Sequence, residues 1–146
     1  MKLRVNMPWE SDLSVNASHF GPGGHYRRKP NVQAWMRVLA WHYVNPQAGA
    51  AGLEFKLRVL PNGEMKADLL NPEYLCLPIR VVVDFRYPDN RRRDDHNLYK
   101  NLVDAVADGL GIDDKDIRVS TGSVVVDKNH PRFTITITDE EGNDAE

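Results

Sequence analysis

The ten residues from Arg91 to Lys100, RRRDDHNLYK, hold the densest set of chemistry-bearing side chains in this 146-residue chain. Asp94 and Asp95 are carboxylates, His96 and Asn97 are polar neighbours, and Lys100 adds a cation about one helical turn further on. A second acidic pair, Asp113-Asp114, follows, with Asp114 twenty positions after Asp94. Two or three carboxylates holding a hard divalent cation beside a lysine suit phosphodiester hydrolysis. The cation polarises a phosphoryl oxygen and activates water, while Lys100 or an arginine offsets charge developing in the transition state. No serine or cysteine nucleophile is then required. Each residue also has an ordinary role open to it: Asp94 as a helix N-cap, Asp113-Asp114 as a turn after a glycine-ended helix, and His96 as a polar residue facing water at a helix start.

Two elements must position these groups. Ile79 to Phe85 (IRVVVDF) is rich in β-branched residues and reads as a strand buried on at least one face. Leu98, Leu102, Ala105, Val106 and Leu110 form one helical stripe, ended by Gly109 or Gly111. The acidic motif therefore lies where a strand hands over to a helix N-terminus, whose free N–H groups favour phosphate. A helix of about four turns is roughly 20 Å long, so Asp113 and Asp114 meet Asp94 only if the chain folds back.

The remaining pattern predicts a mixed-sheet α/β domain with two main helices. Lys2 to Met7 alternates as a first strand. Residues 11–30, with Gly21, Pro22, Gly23 and Gly24, read as a flexible basic loop. Asn31 to Val44 has helical spacing at Val32, Trp35, Met36, Leu39 and Tyr43, with Trp35 and Trp41 fitting helix packing. Leu53 to Val59 followed by Pro61-Asn62-Gly63 suggests a hairpin whose second strand is not distinct. Ile117 to Asp127 and Arg132 to Thr138 are the last strands. The domain is expected to span 1–138, with 139–146 as a disordered acidic tail.

Composition narrows the functional classes. One cysteine, Cys76, excludes an internal disulfide and a thiolate metal cluster. No window approaches the run of about 18 apolar residues that a membrane span needs, and the start MKLRVNMPWE lacks a signal-peptide core, so the expected location is the cytoplasm. The net charge of -2 hides an uneven distribution. Five acids crowd the last eight residues, while no acid occurs between Asp12 and Glu54, where Arg27, Arg28, Lys29 and Arg37 fall. With Arg91, Arg92 and Arg93 these make two basic clusters of the kind that phosphate-backbone binding requires, or else an ordinary solvated surface.

The stretch RRRDDHNLYKNLVDAVADGLGIDD, Arg91 to Asp114, resembles the core motif of the RusA family of Holliday junction resolvases, the crossover junction endodeoxyribonucleases. That motif has an arginine-rich approach, Asp-x-Asp-Asn, a lysine, a helix and a later acidic pair. Asp94 matches the first aspartate, Asn97 the asparagine, Lys100 the lysine and Asp114 the later aspartate, beside Asp113. MPWESDLSVNASHF resembles the family's opening strand and Ser-x-Asn loop, at Ser14 and Asn16, whereas residues 45–77 have no counterpart and read as an inserted hairpin. His96 stands where the family has its second aspartate.

The resemblance implies a RusA-like fold and a homodimer that nicks opposing strands of a four-way DNA junction. It implies catalytic Asp94, His96, Lys100 and Asp114, metal ligands drawn from Asp94, His96, Asp113 and Asp114, and DNA contacts at Asn16, Arg27, Arg28, Lys29, Arg91, Arg92, Arg93 and Asn97. The expected cofactor is Mg²⁺. Imidazole at His96 suits Mn²⁺ better, which shifts the preference toward Mn²⁺; alternatively His96 is a general base or a phosphate contact. No membrane or small-molecule substrate is expected, and the resemblance fits a phage-borne enzyme acting in host cytoplasm. The rival readings are a flap, fork or general DNA nuclease and a catalytically inactive DNA-binding dimer.

Overall fold

The computed structural model describes residues 1–13, 19–20, 27–91, 93 and 95–139, with the backbone alone at 19, 20, 27, 95 and 97. In chain order the elements are β1 (Lys2–Pro8), a short pair β2 (His19–Phe20) and β3 (Arg27–Arg28), and α1 (Pro30–Arg37). A π-helical stretch (Val38–Val44) and α2 (Asn45–Ala50) continue α1. Then come β4 (Phe55–Val59), β5 (Met65–Leu69), β6 (Ile79–Tyr87), α3 (Tyr99–Leu110), β7 (Ile117–Val126) and β8 (Arg132–Thr138). The main sheet is mixed, in the order β1-β8-β6-β7. β8 is antiparallel to both β1 and β6, while β6 and β7 are parallel. A parallel pair needs a crossover, and α3 supplies it.

Alternation decides which face is buried. Leu3↔Ile137, Val5↔Ile135 and Met7↔Phe133 pair across β1 and β8, and Val81, Val83 and Phe85 on β6 pair with the same three β8 residues. All lie in one core with Val32, Trp35 and Leu39 from the first helix and Leu102, Val106 and Leu110 from α3. The Trp35 ring meets the Phe133 ring edge-on at 6.0 Å, and Phe133 meets Phe85 at 5.6 Å. Trp35 Nε1 donates to the Pro8 carbonyl at 3.1 Å, which satisfies its one polar atom.

The register of β6 on β7 shifts between Val83 and Phe85. At this bulge Asp84 Oδ1 accepts from Ser123 N at 2.8 Å and from Ser123 Oγ at 3.0 Å. A Cβ at Gly122 would collide with Asp84 Oδ1, so any side chain there must push that carboxylate aside.

The first helix does not stop at Val44 as its periodicity suggests. It runs on to Ala50, because the chain widens to a π-turn before Pro46, with the Asn45 N–H donating to Ala40 O. The widened turn carries the chain past a residue that lacks a donor and would clash in a regular helix. Opposite this segment, a Cβ at Gly109 would lie 2.8 Å from Ala40 O and 2.9 Å from Val44 Cγ1, so α3 and the π-segment meet at backbone distance. Gly111, not Gly109, ends α3. Its φ of 66° is left-handed, and Ile112 N donates back to Ala107 O at 3.1 Å.

Residues 45–77 split between the helix extension and the β4–β5 hairpin, whose turn holds Gly63 at φ 87°. Asp139, expected in the tail, is instead buried and accepts from the Met1 amine at 3.1 Å and Cys76 N at 3.2 Å. Residues 140–146 lie outside the described set. No described helix is long and apolar enough to cross a membrane.

Candidate functional site

The turn that follows β6 is built around Arg93. Its guanidinium lies 4.8 Å from the centre of the Tyr87 ring and 5.4 Å from that of Trp9, and pairs with Asp89 at 2.9 Å. The Arg93 guanidinium, and then the Arg91 N–H at 2.9 Å, hold the Asp89 carboxyl below the usual range. Arg93 thereby ties the end of β6 to the residue after β1, while Arg91 points outward and is exposed. Arg92 and Asp94 lie outside the described residues, as does Asn16.

A 3₁₀ turn, Asp95–Leu98, then leads into α3 and carries Asn97 on its backbone. His96 is exposed, with its ring 5.0 Å from that of Tyr99. The Tyr99 hydroxyl hydrogen-bonds Thr121 Oγ1, which fixes the start of α3 against β7. Lys100 Nζ is 3.7 Å from Asp104 Oδ2, one turn along the helix. Asp104 also receives Arg28, whose Nη2 lies 2.5 Å from it, and Arg28 Nε donates to Asn101 Oδ1 at 2.9 Å. Asn101 is fully buried and donates to the Leu13 carbonyl at 2.9 Å. Lys29 pairs with Asp12 at 3.5 Å. Of the expected basic-loop contacts, Arg28 and Lys29 therefore anchor the loop ends to α3 and to Asp12; Arg27 sits on β3, opposite Phe20.

Asp113 and Asp114 open the turn before β7, and both are exposed. Asp113 caps that turn, accepting from Lys115 N at 3.0 Å. This bond, followed by one with the Asp114 side chain, holds the Asp113 carboxyl below its ordinary value. Ile117 pairs with Ile79, so the acidic pair sits where β6 begins, whereas His96 follows the strand's other end. The 12 residues of α3 put roughly 18 Å between the two. The structure thus brings His96 and Lys100 to one end of α3 and leaves Asp113 and Asp114 at the other. Among the described residues no three His, Cys, Asp or Glu side chains gather as a metal-binding group. The donors of one chain that can be placed do not fit a divalent cation.

Asp104 and Asn101 were missed from sequence, although an asparagine between Leu98 and Leu102, and an acid four residues after Lys100, are visible signals. Also missed was a groove of about 800 Å³ between the π-segment, the β4–β5 turn and α3, lined in part by Arg28, Arg37, Trp41, His42, Glu64 and Asp108. Partial burial there, then the charges of Asp104 and Glu64, push the Asp108 carboxyl up. No family model matches the chain, and no curated protein sequence does.

Proposed function

We propose that this chain is a metal-dependent DNA endonuclease of the Holliday junction resolvase type that works as a homodimer. The observation that carries the reading is the placement of the motif. The described residues between Arg91 and Lys100 form the handover from the carboxyl end of β6 to the start of α3, with Arg91, His96 and Lys100 exposed, a position where open α/β sheets commonly seat ligands. Asp114 belongs to the same β-α-β unit but stands a helix length away. A single reaction centre using both ends therefore draws His96 and Lys100 from one copy and Asp114 from a second, which makes dimerisation a condition of activity. Lys100 and the arginines would offset phosphate charge, with Mg²⁺ or Mn²⁺ as the expected cofactor.

The test is cleavage of a synthetic four-way junction, against linear and forked duplexes, with Mg²⁺ or Mn²⁺. Paired nicks confined to the junction are expected, with Asp94→Asn and Asp114→Asn each abolishing them. Equal rates on all three substrates would leave a general, flap or fork nuclease. Mixing the two variants offers a sharper check, since a shared centre regains partial activity in the heterodimer.

The failure of the described donors to gather in one chain favours a second reading, an inactive junction-binding dimer. Junction binding by the wild type with no cleavage in either metal would establish it.

A further inference from the structure

The first helix and α3 pack on one face of the main sheet, and on the opposite face Arg4, Arg80 and Arg118 are exposed. Register defines that face. Lys2, Thr138, Arg80 and Arg118 lie in one row across the four strands, and Arg4, Thr136, Val82 and Ser120 in the next. At the far end Arg132 pairs with Arg86. Six cations, Lys2, Arg4, Arg80, Arg86, Arg118 and Arg132, thus share a surface whose described carboxylates are Asp84 and Asp127, on a chain of net charge -2. Arg132 is paired with Asp127 at 3.0 Å. Arg4, Arg80, Arg86 and Arg118 form no ion pair with a described residue; Arg86 donates to Ser123 Oγ and Arg118 to the carbonyls of Lys115 and Ile117. Thr134, Thr136 and Thr138 run down the middle; Thr134 and Thr138 are buried, and Thr134 Oγ1 donates to Asn6 Oδ1 at 2.7 Å.

We infer that this open sheet face binds the phosphate backbone of duplex DNA, an inference that rests on the nuclease reading for its choice of polyanion. Four guanidinium groups with no ion pair to a described residue share one surface and repel one another, and the partner that relieves this is a polyanion, whose binding also releases condensed counterions. Arg80 to Arg86 spans about 20 Å along β6 and the four strands about 14 Å across, a patch large enough to touch both strands of a duplex. Among the described strand residues no aromatic side chain lies on this face, so these strands lack the stacking platforms by which sheets hold single strands. Guanidinium groups suit phosphates and fix register without reading bases. The face runs from the end of β6, where the Arg91 to Lys100 turn begins, to the Asp113-Asp114 turn before β7, so a duplex lying on it reaches both halves of the candidate centre.

The experiment is metal-free anisotropy with a labelled duplex, its single strand and a four-way junction, from about 50 to 200 mM salt. Wild type should bind duplex and junction more tightly than single strand. Arg80→Ala/Arg118→Ala should weaken binding at least tenfold and flatten the log–log salt dependence by about two, with unchanged melting because both residues are exposed. Lys56→Ala/Lys66→Ala, on the β4–β5 hairpin, should change neither. Arg4→Ala, on the opposite edge strand, repeats the test if the double variant melts early. The inference is overturned by unchanged affinity and slope in the variants, by preference for single strands, or by tighter binding to anionic phospholipid vesicles than to duplex. Binding without cleavage would remove the nuclease reading and keep the face; junction cleavage with undiminished binding by the variants would do the reverse.

Discussion

The two faces of the main sheet are drawn from the same four strands yet obey different rules. On one, Val5, Ile135, Val83 and their neighbours are sealed beneath the helices. On the other, Arg4 and Arg118 on the edge strands and Arg80 on β6 meet solvent, while Thr134 and Thr138 on β8 are buried. The buried face is fixed by shape and tolerates little change in volume. The open face is set by charge, and its side chains can be removed with little effect on the fold. Stability and polyanion binding should therefore separate cleanly between residues of opposite parity.

The largest effect is expected from Phe85→Ala. Phe85 is fully buried between Phe133 and Tyr87, and its truncation should cost about 3–5 kcal/mol in a denaturant titration. A loss below about 1 kcal/mol would mean that the covered face is not close-packed. Next comes Gly122→Ala, where the open face meets the bulge. The new methyl must displace the Asp84 carboxylate from Ser123, for a cost of about 1–3 kcal/mol; a neutral result would show that the bulge relaxes freely. Arg93→Ala removes contacts to Tyr87, Trp9 and Asp89 and should lower stability by about 1 kcal/mol. If junction cleavage falls with no change in melting, Arg93 contacts substrate instead.

The smallest effect is on the open face itself. The Arg132 guanidinium, and then the His130 N–H, hold the Asp127 carboxyl below its ordinary value. A carboxylate with a depressed folded pKa adds stability above its unfolded pKa and loses it as pH falls through the folded value, so this contribution is present at neutral pH and is lost only in acid. Arg132→Ala should move the Asp127 titration upward by NMR while lowering neutral-pH melting only slightly, because the pair is solvent-screened. A clear drop in neutral melting temperature would give this exposed pair a structural weight the comparison denies it.

Much of the covered face was legible from sequence. Leu3, Val5 and Met7 alternate, Phe133, Ile135 and Ile137 answer them, and the stripe on α3 announces its buried side. The open face was not legible, because Lys2, Arg80 and Arg118 become neighbours only through strand register. In IRVVVDF three consecutive valines mask the alternation altogether. The apolar spacing of the first helix ends at Val44; that a π-turn would carry it on past Pro46 depends on the packing of Ala40 and Val44 against Gly109. Of the candidate site, the helix-length separation of Asp114 from the Arg91 to Lys100 turn followed from spacing and is seen. The anchoring of Arg28 to Asp104 and Asn101 was hidden because it joins positions more than seventy residues apart.

The bulge at Asp84 gives β7 two reading phases. Val119 and Thr121 share the helix side with Val81 and Val83, but beyond Gly122 it is Val124 and Val126 that align with Phe85 and Tyr87. Loss of a single codon between Thr121 and Val124 would merge the phases into one uninterrupted alternation. Most strands would have every later side chain turned inside out by such a deletion, yet here it would leave the downstream valines on the side they already occupy. This stretch of the gene is thus unusually permissive to a one-residue change in length, while Asp84 would lose the partner that now holds it.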